Sequence, residues 1–318
     1  MRSIQELAAA DNITDTATNT GGTYDMDYFR ATFLDEGIFK YGEDFRFMQN
    51  VCEHNDVLTK ARGYTVRLFA TGSHLSITNS KTEGDERTYT EMTNLEYVDA
   101  TPTWKFYAIA ISKEVISNTR LDLVELGKYM VVQDVEQDIE TAIATEMSTA
   151  TTNIVYGGDA SSAATLETGD VITTDMWANA VYKLRSINLK PFTGFINAIQ
   201  EYAFIKDSQF VNASEYGDRE VILNGEIGKY LGVKIVVTSN VPAKTNGDDS
   251  WGVDGHEAYM ISQNQFKQKP VTIAWKEKAK YDYEYLKRFC NHYIYADICY
   301  DVQLVLEEGV CLMRSADA

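Results

Sequence analysis

Apolar residues recur at every fourth position through Val131, Val135, Ile139, Ile143 and Met147, with acids and small residues between them. That spacing places one apolar stripe along an α-helix. With Ser117 or Asn118 as its cap, the helix is expected to run from about Leu121 to Thr149. At ~1.5 Å per residue it would span about 40 Å, well beyond an average globular helix. Helices of that length serve as spines on which other elements hang.

Upstream the period changes to two. In GYTVRLFATGSHLSITN, Tyr64, Val66, Leu68 and Ala70 share one face, and a second β-rich run, TWKFYAIAISKEVI, extends from Thr103 to Ile116. Between them residues 79–94, NSKTEGDERTYTEMTN, are almost wholly polar around Gly84, so two strands flank a long charged excursion. Loops of this length inside a compact domain usually act outside it. Residues 11–24 are rich in Thr, Asn, Asp and Gly and predict a mobile arm. The segment Met26–Phe39, in contrast, carries enough aromatic side chain to dock on its own body or on a neighbouring copy.

Downstream, TTDMWANAVYKLRSIN predicts an amphipathic helix with Trp177, Val181, Leu184 and Ile187 on one stripe, Thr174 or Asp175 capping it and Pro191 stopping it. PFTGFINA reads as a strand, IQEYAFIKDSQFVNASEY as one or two short helices, and VKIVVTSNVP as a strand ended by Pro242. This alternation describes a compact α/β lobe of ~100 residues. After a surface loop, AKTNGDDSWGVDGHE, strand character resumes at AYMI, and long antiparallel strands are expected around Val271–Trp275 and Asn291–Val305. The layout is arm, long hairpin, spine helix, α/β lobe and returning β segment, an α+β arrangement.

Charge narrows the function. Lys and Arg number 29 against 47 Asp and Glu, a net charge of −18, so nonspecific wrapping of nucleic acid by this surface is repulsive. The chain has 20 tyrosines and only 4 prolines, which suits surfaces that are exposed first and buried on association. Cys52, Cys290, Cys299 and Cys311 show no C-x-x-C spacing, and the opening MRSIQELAAADNITD lacks the pattern of a signal peptide. Synthesis in a reducing cytoplasm is expected. No run approaches the ~18 apolar residues of a membrane helix, so a soluble chain without a membrane partner is expected.

Candidate chemistry is sparse. GEIGKYLGVKIVVTSNVP, residues 225–242, invites a phosphate-loop reading. It fails on spacing, because Gly228-Lys229 is followed by Tyr230 and Gly225 lies only three residues back, and its glycines precede a strand instead of opening a helix. Gly225, Gly228 and Gly232 read instead as tight turns into a buried strand that Pro242 closes. Asn246, Asp248, Ser250, Asp254 and Glu257 mimic a calcium loop, yet Trp251 stands where glycine is needed. Cys290, His292 and Cys299 lack zinc-knuckle spacing. The four histidines, His54, His74, His256 and His292, sit in unrelated segments without a nucleophile signature. No cofactor, metal or catalytic residue is expected.

Taken in order, these pieces resemble the major capsid proteins of tailed double-stranded-DNA bacteriophages. The matching residues are Gly225, Glu226, Ile227, Gly228, Gly232, Val233, Thr238, Ser239 and Pro242. Support comes from Thr82–Gly84 in the extended loop, TWKFYAIAISKEVI before the long helix, MWANAVYKLRSINLKPFTGFINA, and EAYMI before KPVTIAWKEK. The resemblance implies an N-terminal arm (1–60), an extended β-hairpin loop (61–102), a peripheral domain with a long spine helix (103–160 and 258–305) and an α/β axial domain (161–257 and 306–318). It also implies self-assembly into the hexamers and pentamers of an icosahedral head that encloses double-stranded DNA without sequence recognition. Portal and scaffolding or decoration proteins would be further partners, and assembly would take place in the host cytoplasm to give a virion shell. Lys81, Glu83, Asp85, Glu86 and Arg87 in the extended loop are candidate intersubunit contacts. An encapsulin-type nanocompartment shell is the alternative within the same fold, and an acidic-cleft hydrolase the alternative outside it.

Overall fold

The structure, a computed structural model, describes residues 47–71, 95–119, 122–207, 228–248 and 251–317. Residues 1–46 of the expected arm, with the aromatic segment Met26–Phe39 among them, and the polar excursion 79–94 lie outside the described residues. In chain order the elements begin with β1 (Glu53–Asn55), α1 (Val57–Lys60), β2 (Val66–Thr71), β3 (Leu95–Ala100), β4 (Thr103–Ser112), α2 (Lys113–Asn118) and α3 (Leu123–Ser148). Next come β5 (Asn153–Tyr156), α4 (Thr174–Ser186), β6 (Lys190–Ile196), α5 (Ala198–Lys206), β7 (Lys229–Tyr230), β8 (Val233–Val237) and β9 (Ala243–Lys244). The chain finishes with β10 (Gly255–Gln263), β11 (Val271–Leu286), β12 (Asn291–Leu304) and β13 (Val310–Ala316). Two compact units are present, one including Ile109–Lys128 and Tyr283–Ile294, the other Glu43–Ala108, Tyr129–Asp282 and Tyr295–Ala318.

The spine is α3, and the residues of its expected stripe, from Val131 to Met147, are all buried. Its cap is Asp122, whose Oδ1 accepts the N–H groups of Val124 and Glu125 at 3.1 Å each. The expected caps, Ser117 and Asn118, instead end the short α2, which Ser112 opens by accepting the N–H of Val115 at 3.3 Å. The β-rich run therefore stops at Ser112, because side-chain acceptors at Ser112 and Asp122 satisfy helical N–H groups that alternation alone does not reveal.

In the larger unit a seven-stranded sheet runs β5-β13-β10-β6-β8-β7, with β9 also paired to β10. Strand β10 lies antiparallel between β13 and β6, so that Tyr259 pairs with both Leu312 and Phe195. Strand β8 joins β6 in parallel after the α5 crossover. Helix α4 covers the sheet with Trp177, Ala180, Val181 and Leu184, which pack among Ile196, Phe204, Ile235, Met260 and Met313. Gly194 is required here, since a Cβ on it would sit 2.3 Å from Cη2 of Trp177.

Local punctuation differs from expectation in five places. Thr173, not Thr174 or Asp175, caps α4 by accepting the N–H of Met176 at 3.2 Å. That helix ends at Ser186, where Asn188 at φ +61° reverses the chain and leaves Ile187 exposed. Pro191 is thus not the stop but part of β6, opposite a register shift between Ile261 and Ser262, a place where a missing N–H is tolerated. Tyr64 precedes β2 and is exposed, whereas Leu68 of that strand packs against Ala100, Ala274 and Val305. In the loop expected at the surface, Trp251 is buried against Ala163 and Leu166.

Candidate subunit-contact surfaces

The root of the long hairpin is β2 paired antiparallel with β3, in a register that sets Arg67 opposite Asp99 and Phe69 opposite Tyr97. The guanidinium of Arg67 donates from Nε and Nη2 to the two Asp99 oxygens at 2.8 and 2.9 Å. It also lies 4.0 Å from the centroid of the Tyr97 ring, which meets Phe69 edge-on. The fork holds the Asp99 carboxyl below its ordinary value. Phe69 and Tyr97 nonetheless stay exposed, so an organised aromatic edge faces solvent.

Strand β4 repeats that theme on a larger scale. From Trp104 to Ile111 its odd residues turn inward and its even residues outward, the ordinary alternation of a pleated strand. Inward, Asp138 Oδ2 of α3 accepts from Lys105 Nζ at 2.6 Å, Tyr107 Oη at 2.7 Å and, from β12, Tyr300 Oη at 2.6 Å. Burial pushes the Asp138 carboxyl up, and the three donors more than offset it, leaving the group below its ordinary value. Outward, Trp104 and Phe106 stack with ring centroids 6.2 Å apart and remain 51% and 71% exposed. Strand β4 also ends the sheet order β1-β11-β12-β4, so its outer backbone edge is open among the described residues. An edge strand with a large apolar outer face invites a partner.

A third surface is α5, which residue periodicity alone did not single out. Its inner side buries Ala203 and Phe204, while Ile199, Tyr202 and Ile205, three residues apart, stay exposed. The signal was present in AIQEYAFIK, a segment apolar on every face and too polar at its neighbours to be wholly internal.

The first described residues are anchored on α3. Glu140 accepts the N–H groups of Met48 and Gln49 at 2.8 and 2.9 Å, and Glu136 accepts from the Gln49 side chain at 2.8 Å. Burial pushes Glu140 up to about 7, against the pull of the two backbone donors.

The glycine-rich segment forms a β-hairpin. Leu231 at φ +51° and Gly232 at φ +84° make the two-residue turn between β7 and β8, and Arg185 Nη2 donates to the Leu231 carbonyl at 3.0 Å. Gly228 has open space where a Cβ would stand, and Gly225 lies outside the described residues. Strand β8 ends at Val237, and Pro242 follows a turn just before β9. The loop candidates Lys81, Glu83, Asp85, Glu86 and Arg87 likewise lie outside the described residues.

The residues weighed for a calcium loop make local hydrogen bonds and an ion pair. Asp248 Oδ2 accepts from Thr245 N and Oγ1, Asp254 Oδ1 accepts from Asn246 N, and Glu257 pairs with Arg314 at 2.9 Å. Ser250 lies outside the described residues, among which no group of His, Cys, Asp or Glu is arranged to hold a metal ion. His54 accepts from Trp275 Nε1 at 3.0 Å, His256 meets Asp317, and His292 meets Tyr283, three separate structural roles. No described helix is long and apolar enough to cross a membrane.

These surfaces belong to a fold with known relatives. A family model described as phage capsid protein matches residues 102–284, more than half of the chain. The chain belongs to the phage capsid protein family. It is a structural component of a virion, a major capsid protein that associates with its own copies. Its structure is similar to the capsid of cyanophage P-SCSP1u (TM-score 0.62, 14% identity, covering 94% of this chain and 97% of that one). It is also similar to the cyanophage Pam1 capsid subunit (TM-score 0.63, 14% identity, 84% and 89% covered). An encapsulin, SrpI of Synechococcus elongatus, shares the fold at TM-score 0.55 and 8% identity, with 93% and 97% covered. No curated protein sequence matches the chain.

Proposed function

We propose that this capsid protein forms the hexamers and pentamers of an icosahedral tailed-phage head, assembled in the host cytoplasm around a space that receives double-stranded DNA. It acts without catalysis or a cofactor. Residues 1–60 serve as an arm, 61–102 as the extended hairpin, 103–160 with 258–305 as the peripheral domain, and 161–257 with 306–318 as the axial domain. The observation that carries this reading is the outer face of β4 in a family member: Trp104 and Phe106 are stacked, exposed and uncovered by the chain's own described residues. A neighbouring copy supplies the cover, and Lys81, Glu83, Asp85, Glu86 and Arg87 provide contacts from the hairpin. The acidic surface, at net −18, suits a wall that encloses DNA without gripping it. Portal and scaffolding or decoration proteins complete the head.

Electron microscopy of the expressed protein tests the proposal. Closed shells, rings or capsomer-sized particles are expected, and a monodisperse monomer at high concentration contradicts it. Particles filled with a protein cargo instead of genome would favour the encapsulin alternative. Deleting residues 79–94 should leave the subunit folded by circular dichroism while impairing assembly. Unfolding on deletion would put the hairpin in the subunit core.

A further inference from the structure

The connection between β11 and β12 gathers positive charge on a strongly acidic chain. Lys287, Arg288, Phe289 and Cys290 are all exposed, and Phe289 is 56% exposed. The turn is fixed from within: Phe289 donates its N–H to the Leu286 carbonyl at 3.1 Å, and Lys113 at the start of α2 donates its N–H to the Cys290 carbonyl at 2.8 Å. Arg288 lies 5.4 Å from the Phe289 ring centroid. Lys287 and Arg288 enter no ion pair among the described residues, in contrast to Arg67, Lys105 and Lys278. Among the described residues, then, no carboxylate offsets their charge.

We infer that this cationic and aromatic turn docks on a carboxylate-bearing surface of a second copy of the chain. The inference rests on the shell reading and names one of its contacts. Copies that each carry −18 repel when packed into a lattice, so places where a cation of one meets the acids of the next set the association. An exposed ring beside the two cations adds apolar area and lowers local solvation, which strengthens each pair. Nucleic acid is the weaker candidate. Two phosphate contacts yield a salt slope of only about −2, too little to hold a duplex against the surrounding negative charge.

Cys290 provides a built-in probe, because the other three cysteines are buried. In the unassembled full chain one thiol should react readily with a maleimide, and in assembled particles that reaction should slow at least tenfold. The double variant Lys287→Glu/Arg288→Glu should keep the parent's unfolding midpoint and need at least a tenfold higher concentration to assemble. Equal labelling of Cys290 in particles and free chain overturns the inference, as does assembly of the charge-reversed chain at the parent's concentration. Normal assembly with loss of co-purifying DNA also overturns it and assigns the turn to nucleic acid. Failure of the parent chain to form particles at all refutes the shell reading itself, a separate result.

Discussion

Strands β10 and β4 are similar in length and opposite in fate. β10 is flanked by β13 and β6, and every residue from Gly255 to Ser262 is buried. β4 closes one face with Lys105 and Tyr107, and leaves two stacked aromatic rings and a backbone edge outside. Each aromatic side chain buries ~150–250 Å² when covered, at about 25 cal/mol per Å², so the uncovered face holds several kcal/mol of association. One chain completes its own α/β layer and leaves a second sheet unfinished. That division suits a subunit which must fold alone and then assemble.

The comparison breaks most severely if the finished region is opened. Trp177→Ala should destabilise the isolated subunit by about 3–5 kcal/mol in denaturant unfolding, because it hollows the layer between α4 and the sheet. A loss below about 1 kcal/mol would mean that the layer is not self-sufficient.

The next effect is on pH dependence. Glu140, pushed from an ordinary 4.5 to about 7, binds its proton more tightly folded than unfolded. Its contribution to stability is therefore full below pH 4.5 and lost as pH rises through 7, a swing of roughly 3 kcal/mol at ~1.4 kcal/mol per unit. Glu140→Gln should flatten the slope of unfolding free energy against pH across that window. An unchanged slope would show that the carboxylate is already ionised when buried.

The smallest effect on folding separates the two regions most clearly. Trp104→Ala/Phe106→Ala should shift subunit stability by no more than about 0.5 kcal/mol, as exposed substitutions do, while abolishing particle formation. If the double variant unfolds instead, the outer face of β4 belongs to the subunit core.

Much of this division was legible in the residues. The four-residue spacing from Val131 to Met147 specified the spine, and the β-rich run from Thr103 to Ile116 contained β4, which ends at Ser112. Boundaries were less legible, because Ser112, Asp122 and Thr173 act through single side-chain bonds to helical N–H groups and Asn188 through a left-handed backbone. The contact surfaces were legible only in part. The glycine-rich segment showed a turn before a strand, but which face of β4 or α5 remains open depends on what packs from distant segments, such as Asp138 and Tyr300 on one side of β4. Periodicity could not show that the aromatic face of β4 stays uncovered, and its role in assembly is the proposal made above.

Tryptophan accessibility tests this division most directly. Trp177, Trp251 and Trp275 are buried at 0%, 2% and 6% exposure, so Trp104, at 51%, is the sole tryptophan open to a quencher. Acrylamide quenching should reveal an accessible fraction in the free subunit that disappears in assembled particles and is missing from Trp104→Phe. Equal quenching in free and assembled protein would contradict it, leaving the aromatic face of β4 outside every subunit contact.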